Sequence, residues 1–207
     1  MGTTSTPERP YHHGDLRRAL IDAALDEIAA EGPARLSLRH IARRAGVSHA
    51  APAHHFKDKA GVFTAIAIEG FTLLASDTTE TSHAPGALVQ SALAYISFAV
   101  QHPAHFEVMW RPDLYHQDDQ ELVAARGLAF EVFYRTVGAA VGVSDGERFN
   151  GAAVAAWSLV HGFATLSLSG NLPPEMGDDP IAAALVVARG SIAVAEVTAR
   201  ELPLVGH

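Results

Sequence analysis

The chain has 207 residues, 48% of them hydrophobic, enough for a sizeable core in one large domain or in a small head with a larger body. It has no cysteine, which excludes disulfides and thiolate metal sites and fits a reducing cytoplasm. The net charge of −8 argues against a general nucleic-acid binder, but it is uneven: residues 1–60 carry nine Lys/Arg against seven Asp/Glu, and residues 61–207 carry six against sixteen.

In chain order, residues 1–12 are polar and Pro-containing and read as disordered, with no apolar stretch of the kind a signal peptide needs. From Asp15 the period is helical: Leu16, Leu20, Ala24 and Ile28 recur at i+4, and Gly32-Pro33 ends the helix. Ser37 reads as the N-cap of a second, two-turn helix whose buried stripe is Leu38, Ile41, Ala42 and Ala45, closed by Gly46. Ser48 reads as the cap of a third short helix reaching about His55. Phe56 turns back to the core, and Asp58 caps a fourth helix with the stripe Val62, Phe63, Ile66, Ala67, Gly70, Phe71 and Leu74.

Thr78–Pro85 reads as a loop. A fifth helix carries Val89, Leu93, Ile96 and Val100 and stops near His102-Pro103; a short sixth groups Phe106, Met109 and Trp110. Asp118 and Glu121 resemble a capping box for a seventh helix, and Ser144 and Glu147 one for an eighth, which ends between Gly170 and Pro174. Asp179-Pro180 opens a ninth, as an N-cap followed by Pro at the first helical position. The segments Ala152–Leu168 and Ile181–Val197 are apolar, but the first is short and holds Ser158, His161 and Thr165, and the second carries Arg189 and Glu196. Buried helices, with no membrane partner, are the reading. No strand pattern or repeat stands out. The expected fold is all-α, with about nine helices: an N-terminal three-helix helix-turn-helix DNA-binding domain over 1–60 and a C-terminal helical ligand-binding and dimerisation domain over 61–207.

Function is concentrated in Leu36–Phe63. Two short helices joined by a tight Gly-containing turn have helix-turn-helix spacing, in which one helix lies across the phosphate backbone while the next enters the major groove. Within Leu36–Ala60, Arg39, Arg43, Arg44, Lys57 and Lys59 face only Asp58. This basic patch suits DNA, although charge alone leaves an ordinary solvated face equally open.

The stretch also resembles the TetR family of regulators. The matching residues are Ser37-x-Arg39-x-Ile41-Ala42-x-x-Ala45-Gly46-Val47-Ser48, then His55-Phe56-x-x-Lys59, after a helix ending in Glu31-Gly32. Trp157-Ser158-Leu159-Val160-His161-Gly162, with His102-Pro103-x-x-Phe106, resembles the Trp-His-Gly signature of one TetR subfamily. The resemblance implies a homodimeric transcriptional regulator on a palindromic, double-stranded DNA operator, usually a repressor released by a small-molecule effector. It implies that Ser37, Ser48, His55 and Lys59 touch phosphate. His49, Ala50 and His54 on the recognition helix are candidates for base edges, and Arg39, Arg43 and Arg44 for further backbone contacts. His12, His13 and Arg17 would form an arm near the DNA. Two departures stand out: Ala53 replaces the usual Tyr, and Pro52 lies early in the recognition helix. They keep open a rival reading, a helical small-molecule binder or an activator with weakened DNA binding.

Phe98, Phe106, Met109, Trp110, Phe130, Phe133, Tyr134 and Trp157, with His161 as a polar handle, read either as core or as the wall of an effector pocket between helices five to eight. The adjacent pairs His12-His13 and His54-His55 point apart on a helix and are poor chelates. His102 and His105 could meet His161, but a hydrogen-bonded core or pocket histidine is the preferred reading for His161. No metal, cofactor or enzyme motif is read. Helices eight and nine, rich in Ala and Gly and apolar nearly all round, read as a homodimer's four-helix bundle.

Overall fold

The computed structural model describes residues 13–81, 86–141 and 151–188, and among them there is no strand. Helix α1 (His13–Glu31) buries Leu20, Ala23, Ala24 and Ile28, the stripe its period predicts. It ends at Gly32, whose φ of 78° is open to glycine, and Pro33 starts a short 3-10 turn. Helix α2 (Leu38–Arg44) and helix α3 (Ala51–Phe56) follow, separated by a turn at Gly46, φ 69°.

Helix α4 (Lys59–Thr81) is the hub. It packs against α1 and α3 on the head side, and against α5 (Ala87–Gln101), α6 (Pro103–Met109) and α7 (Gln120–Val141) on the body side. Helix α8 (Gly151–Leu168) closes the layer over α5 and α7, and residues 180–188 begin a ninth helix, α9. Val62, Phe63, Ile66, Ala67 and Phe71 of α4 are all but fully buried, so one helix carries the core from head to body. At Gly70 an added Cβ would lie 2.4 Å from Met109 Sδ and 3.3 Å from His105 Cβ, so glycine lets α6 cross α4 closely.

Several caps differ from the sequence reading. Asp58 caps α4 as expected, accepting from Gly61 N–H at 2.7 Å. Asp179 Oδ1 accepts from the N–H groups of Ile181 and Ala182. For α7 the cap is Asp119, not Asp118: its Oδ1 accepts from the N–H groups of Glu121 and Leu122, one residue on from the expected box. Ser37 stands at the N-cap of α2 but makes no side-chain cap bond; Glu27 reaches from α1 to accept from its backbone N–H at 3.0 Å. Ser48 precedes the recognition helix by one turn, since α3 begins at Ala51 and Ser48 contributes its carbonyl to Ala51 N–H. Thr78 to Thr81 continue α4 rather than opening a loop, with Thr78 and Thr79 hydroxyls donating back to Leu74 and Ala75 carbonyls. Residues 1–12, the Ser144–Glu147 box and the end of the ninth helix with Arg189 and Glu196 lie outside the described residues.

Two described helices, Lys59–Glu80 and Gly151–Leu168, are long and apolar enough to cross a membrane. The first is 56% buried within the chain, as a core helix is; the second is only 22% buried and exposes Val154, Leu159 and Leu166.

Candidate nucleic-acid interface and body cavity

The α2–α3 pair is braced from behind. Ile41 and Ala42 are fully buried, Phe56 nearly so, and Val47 in the turn donates its N–H to Ala42 O at 3.0 Å. His49 and Ala50, read from sequence as lying on the recognition helix, fall in the turn just before α3; they are exposed, as are Ala53 and His54 on the helix, while Pro52 is buried at the second helical position. Its missing N–H is therefore one that an α-helix leaves unpaired anyway, and its ring packs inward rather than toward a groove. His55 is half-buried beside the Phe56 ring.

The cations divide. Arg39, Arg43 and Lys57 are exposed. Arg44 is turned onto α1, paired with Asp26 at 2.9 Å, and Lys59 Nζ donates to Ala34 O at 3.0 Å while lying 5.6 Å from the Phe63 ring centroid. Arg17 is also engaged, its guanidinium 5.4 Å from the Phe56 ring centroid.

Lys57 is the joint between α3 and α4. Its φ of 68° and ψ of −58°, with Asp58 N–H bonded to Phe56 O at 2.9 Å, make a γ-turn of the rare strained kind. Gly61 admits that carbonyl: an added Cβ would lie 1.8 Å from Phe56 O. Across the joint, His116 of the α6–α7 loop bonds Asp58 Oδ1 at 3.1 Å, and its N–H donates to Thr64 Oγ at 3.1 Å. The Gly61 N–H, with smaller help from His116, holds the Asp58 carboxyl below its ordinary range.

In the body, a cavity of about 70 Å³ lies among five elements. Phe71, Leu74 and Thr78 of α4 form one wall; Leu88, Ser91, Ala92 and Tyr95 of α5 a second; Ala129, Phe130, Phe133 and Thr136 of α7 a third. Trp110, at the end of α6, and Ala156, Trp157 and Val160 of α8 complete it. No Asp, Glu, Lys, Arg or His is among these residues. Of the nine residues expected there from sequence, Trp110, Phe130, Phe133 and Trp157 line it. Phe98, Phe106 and Met109 are packed in the core, Tyr134 stacks outside on Phe130, and His161 stands behind Tyr95.

The α4 wall and the polar Ser91, Tyr95 and Thr136 escaped the sequence reading: Phe71 and Leu74 read as core and Thr78 as loop, and Ser91 and Tyr95 lie off the stripe read for the fifth helix. His161 Nδ1 and the Tyr95 hydroxyl share a hydrogen bond of 2.9 Å, and the His161 ring stacks on Phe106. Burial pushes the His161 pKa down and the Tyr95 pKa well up, so both stay neutral. His105 turns instead to Glu69 at 3.1 Å, so His102, His105 and His161 do not form one cluster. Among the described residues no three His, Asp or Glu side chains come together as a metal site.

Residues 20–66 match the model for bacterial regulatory proteins of the tetR family, and residues 88–188 match that for the tetracyclin repressor-like C-terminal domain. The chain belongs to the TetR family. The Trp157–Gly162 segment lies within the second match. The HTH-type transcriptional regulator BetI of Klebsiella pneumoniae (strain 342) is 51% identical over 49 residues, 24% of this chain and 25% of that protein. The match thus spans about a quarter of that curated relative. A structure of a protein with unknown function from Rhodococcus sp. RHA1 is 32% identical, with a TM-score of 0.70 over 88% of this chain and 96% of the other. The TetR family transcriptional regulator PfmR from Thermus thermophilus has a TM-score of 0.60 at 18% identity, over 81% and 92% of the chains, and shares the fold.

Proposed function

We propose that the chain represses transcription as a homodimer on a palindromic operator in the cytoplasm, and is released when a small-molecule effector enters the body cavity. On this reading residues 1–60 are the DNA-binding head and 61–207 the effector-binding and dimerisation body. The observation that carries it is the α2–α3 pair. Its inner face is sealed against α1 and α4, while His49 and Ala50 just before α3, Ala53 and His54 on it, and the cations Arg39, Arg43 and Lys57 are all exposed. That is the arrangement that inserts one short helix into a major groove. The acidic remainder of the chain is repelled by phosphate and orients the head toward DNA.

Dimerisation follows from α8. Val154, Leu159 and Leu166 are 49%, 45% and 47% exposed on a helix that a single chain covers poorly, and Leu185 and Val186 of α9 are exposed as well. A second copy related by a two-fold axis covers both. It also sets two heads at the spacing a palindrome requires.

Effector release follows from α4, which is at once the cavity's wall and the head's support. The cavity is about half the size of one that holds benzene. A drug-sized ligand therefore enters only by displacing its walls, Phe71 and Leu74 of α4 among them. A ligand that binds the displaced state better shifts the population toward it and moves the heads.

The test is a gel-shift series on the full chain and its own upstream DNA. His49→Ala alters the preference between sites. Arg43→Ala, at an exposed cation of α2, weakens binding at all sequences and lowers the salt slope by about one ion. Unchanged site preference together with an unchanged salt slope contradicts the interface.

A further inference from the structure

The wall of the cavity carries a defect that packing alone does not explain. The indole N–H groups of Trp110 and Trp157 are both fully buried and have no hydrogen-bond partner. Buried polar groups are nearly always paired, and an unpaired donor is a standing cost to the folded state. The two rings lie side by side, centroids 5.4 Å apart, each also against the His161 ring. Both indoles lie close enough to the Tyr95 hydroxyl to act on it electrostatically, but the geometric hydrogen bond of that hydroxyl is with His161 at 2.9 Å, and neither indole N–H has one.

Taking the cavity as the effector site, we infer that it admits an uncharged, mostly apolar molecule with one hydrogen-bond acceptor, which accepts from the Trp110 and Trp157 indole N–H groups as their rings part. The chemistry of the wall selects this class on three counts. A cation finds aromatic faces, which favour it. It also finds no carboxylate in the lining to offset the cost of leaving water. An anion finds donors but no Lys, Arg or His in the lining, and two neutral donors do not offset the cost of taking a full charge out of water. A pure hydrocarbon fits the apolar walls but leaves both donors orphaned. A ketone, ester or amide oxygen repairs the defect at the moment the walls separate, so the repair falls to the opened state and not to the resting one.

The chain's two tryptophans are these two residues, so their emission reports on the site directly. The experiment titrates the full-length protein with four probes of matched size: acetophenone, cumene, benzoate and benzamidinium. Tryptophan emission, excited beyond the probes' absorption, is followed together with the ligand-induced shift in melting temperature. Acetophenone is expected to bind about tenfold more tightly than cumene, the size of one to two net hydrogen bonds, and both charged probes more weakly than cumene. Trp157→Phe removes one donor together with the pyrrole ring, so cumene affinity in the same variant serves as the control for lost wall area; measured against that control, the preference for acetophenone over cumene narrows, and Trp110 remains as reporter. Cumene matching acetophenone, a charged probe binding best, or a preference that survives Trp157→Phe at full size overturns the inferred chemistry and leaves the cavity as a binding site. Silence of emission and melting temperature toward all four overturns the cavity reading itself.

Discussion

His105 on α6 holds its Nε2 3.1 Å from Glu69 Oε1 on α4, and the other oxygen of the same carboxylate pairs with Arg18 of α1 at 2.5 Å. One carboxylate thus joins the head's first helix to the short helix that ends at the cavity's Trp110. It does so on the helix that serves both. The His105 side chain is 7% exposed. Burial lowers its pKa, Glu69 opposes the shift less strongly, and His102 and Arg18 add to it.

This pair makes stability depend on pH. Because the folded-state pKa of His105 lies below that of the unfolded chain, the unfolded state takes up the proton first as pH falls. Stability is therefore lost from about pH 6.5 downward, until the folded-state histidine is itself protonated. His161, also lowered by burial, acts in the same sense. The melting temperature is expected to fall between pH 7.5 and pH 5.5, with a smaller fall in His105→Gln. A melting temperature flat across that window, or a slope untouched by His105→Gln, contradicts the assignment. Asp58, whose pKa is lowered, contributes only at more acid pH, where its carboxylate is protonated.

Gly61→Ala and Gly127→Ala are expected to act in opposite directions. At Gly61 the new Cβ meets the Phe56 carbonyl at 1.8 Å, a backbone obstacle at the joint that aims the recognition helix. The expected loss is about 1–3 kcal/mol in denaturant unfolding, with weakened DNA binding in the folded fraction. At Gly127, on an exposed face of α7, nothing lies within 4 Å. Alanine there is expected to stabilise by about 0.5–1 kcal/mol. Equal effects at both sites would show that the close approach at Phe56 does not matter.

Leu159→Glu tests the dimer surface without touching the core, since Leu159 is 45% exposed in the single chain. A light-scattering mass of two chains is expected for the wild type and of one for the variant, with helicity by circular dichroism retained. A variant that stays dimeric moves the interface away from α8.

The sequence made the head legible almost residue by residue, because its signals are local. Gly32-Pro33, Gly46 and Asp58 each end or start a helix through their own backbone or side chain, and the α2 stripe follows the helical period, with Ile41 and Ala42 buried and Leu38 and Ala45 half-buried. The body was legible as helices but less so as a site. Trp110, Phe130, Phe133 and Trp157 were recognisable as large aromatic side chains. Which of these bound a void and which fill the core depends on how α4 to α8 cross, and that is set by long-range contacts such as Gly70 against Met109. The cation pattern also needed coordinates. Arg44 and Lys59 read as free charges, yet Asp26 and the Ala34 carbonyl, far away along the chain, engage them. The Asp119 cap shows the limit of motif spacing: adjacent aspartates leave two registers, and only the helix start decides between them.

The most direct measurement is a fluorescence-anisotropy titration of the purified full chain against a labelled fragment of its own upstream DNA and a scrambled fragment of the same length, from low to physiological salt. Two chains are expected to bind per site, with a preference for the upstream fragment that persists as salt rises and is lost in a His49→Ala, His54→Ala double variant. Equal binding to both fragments, or none at low salt, would contradict the DNA-binding reading.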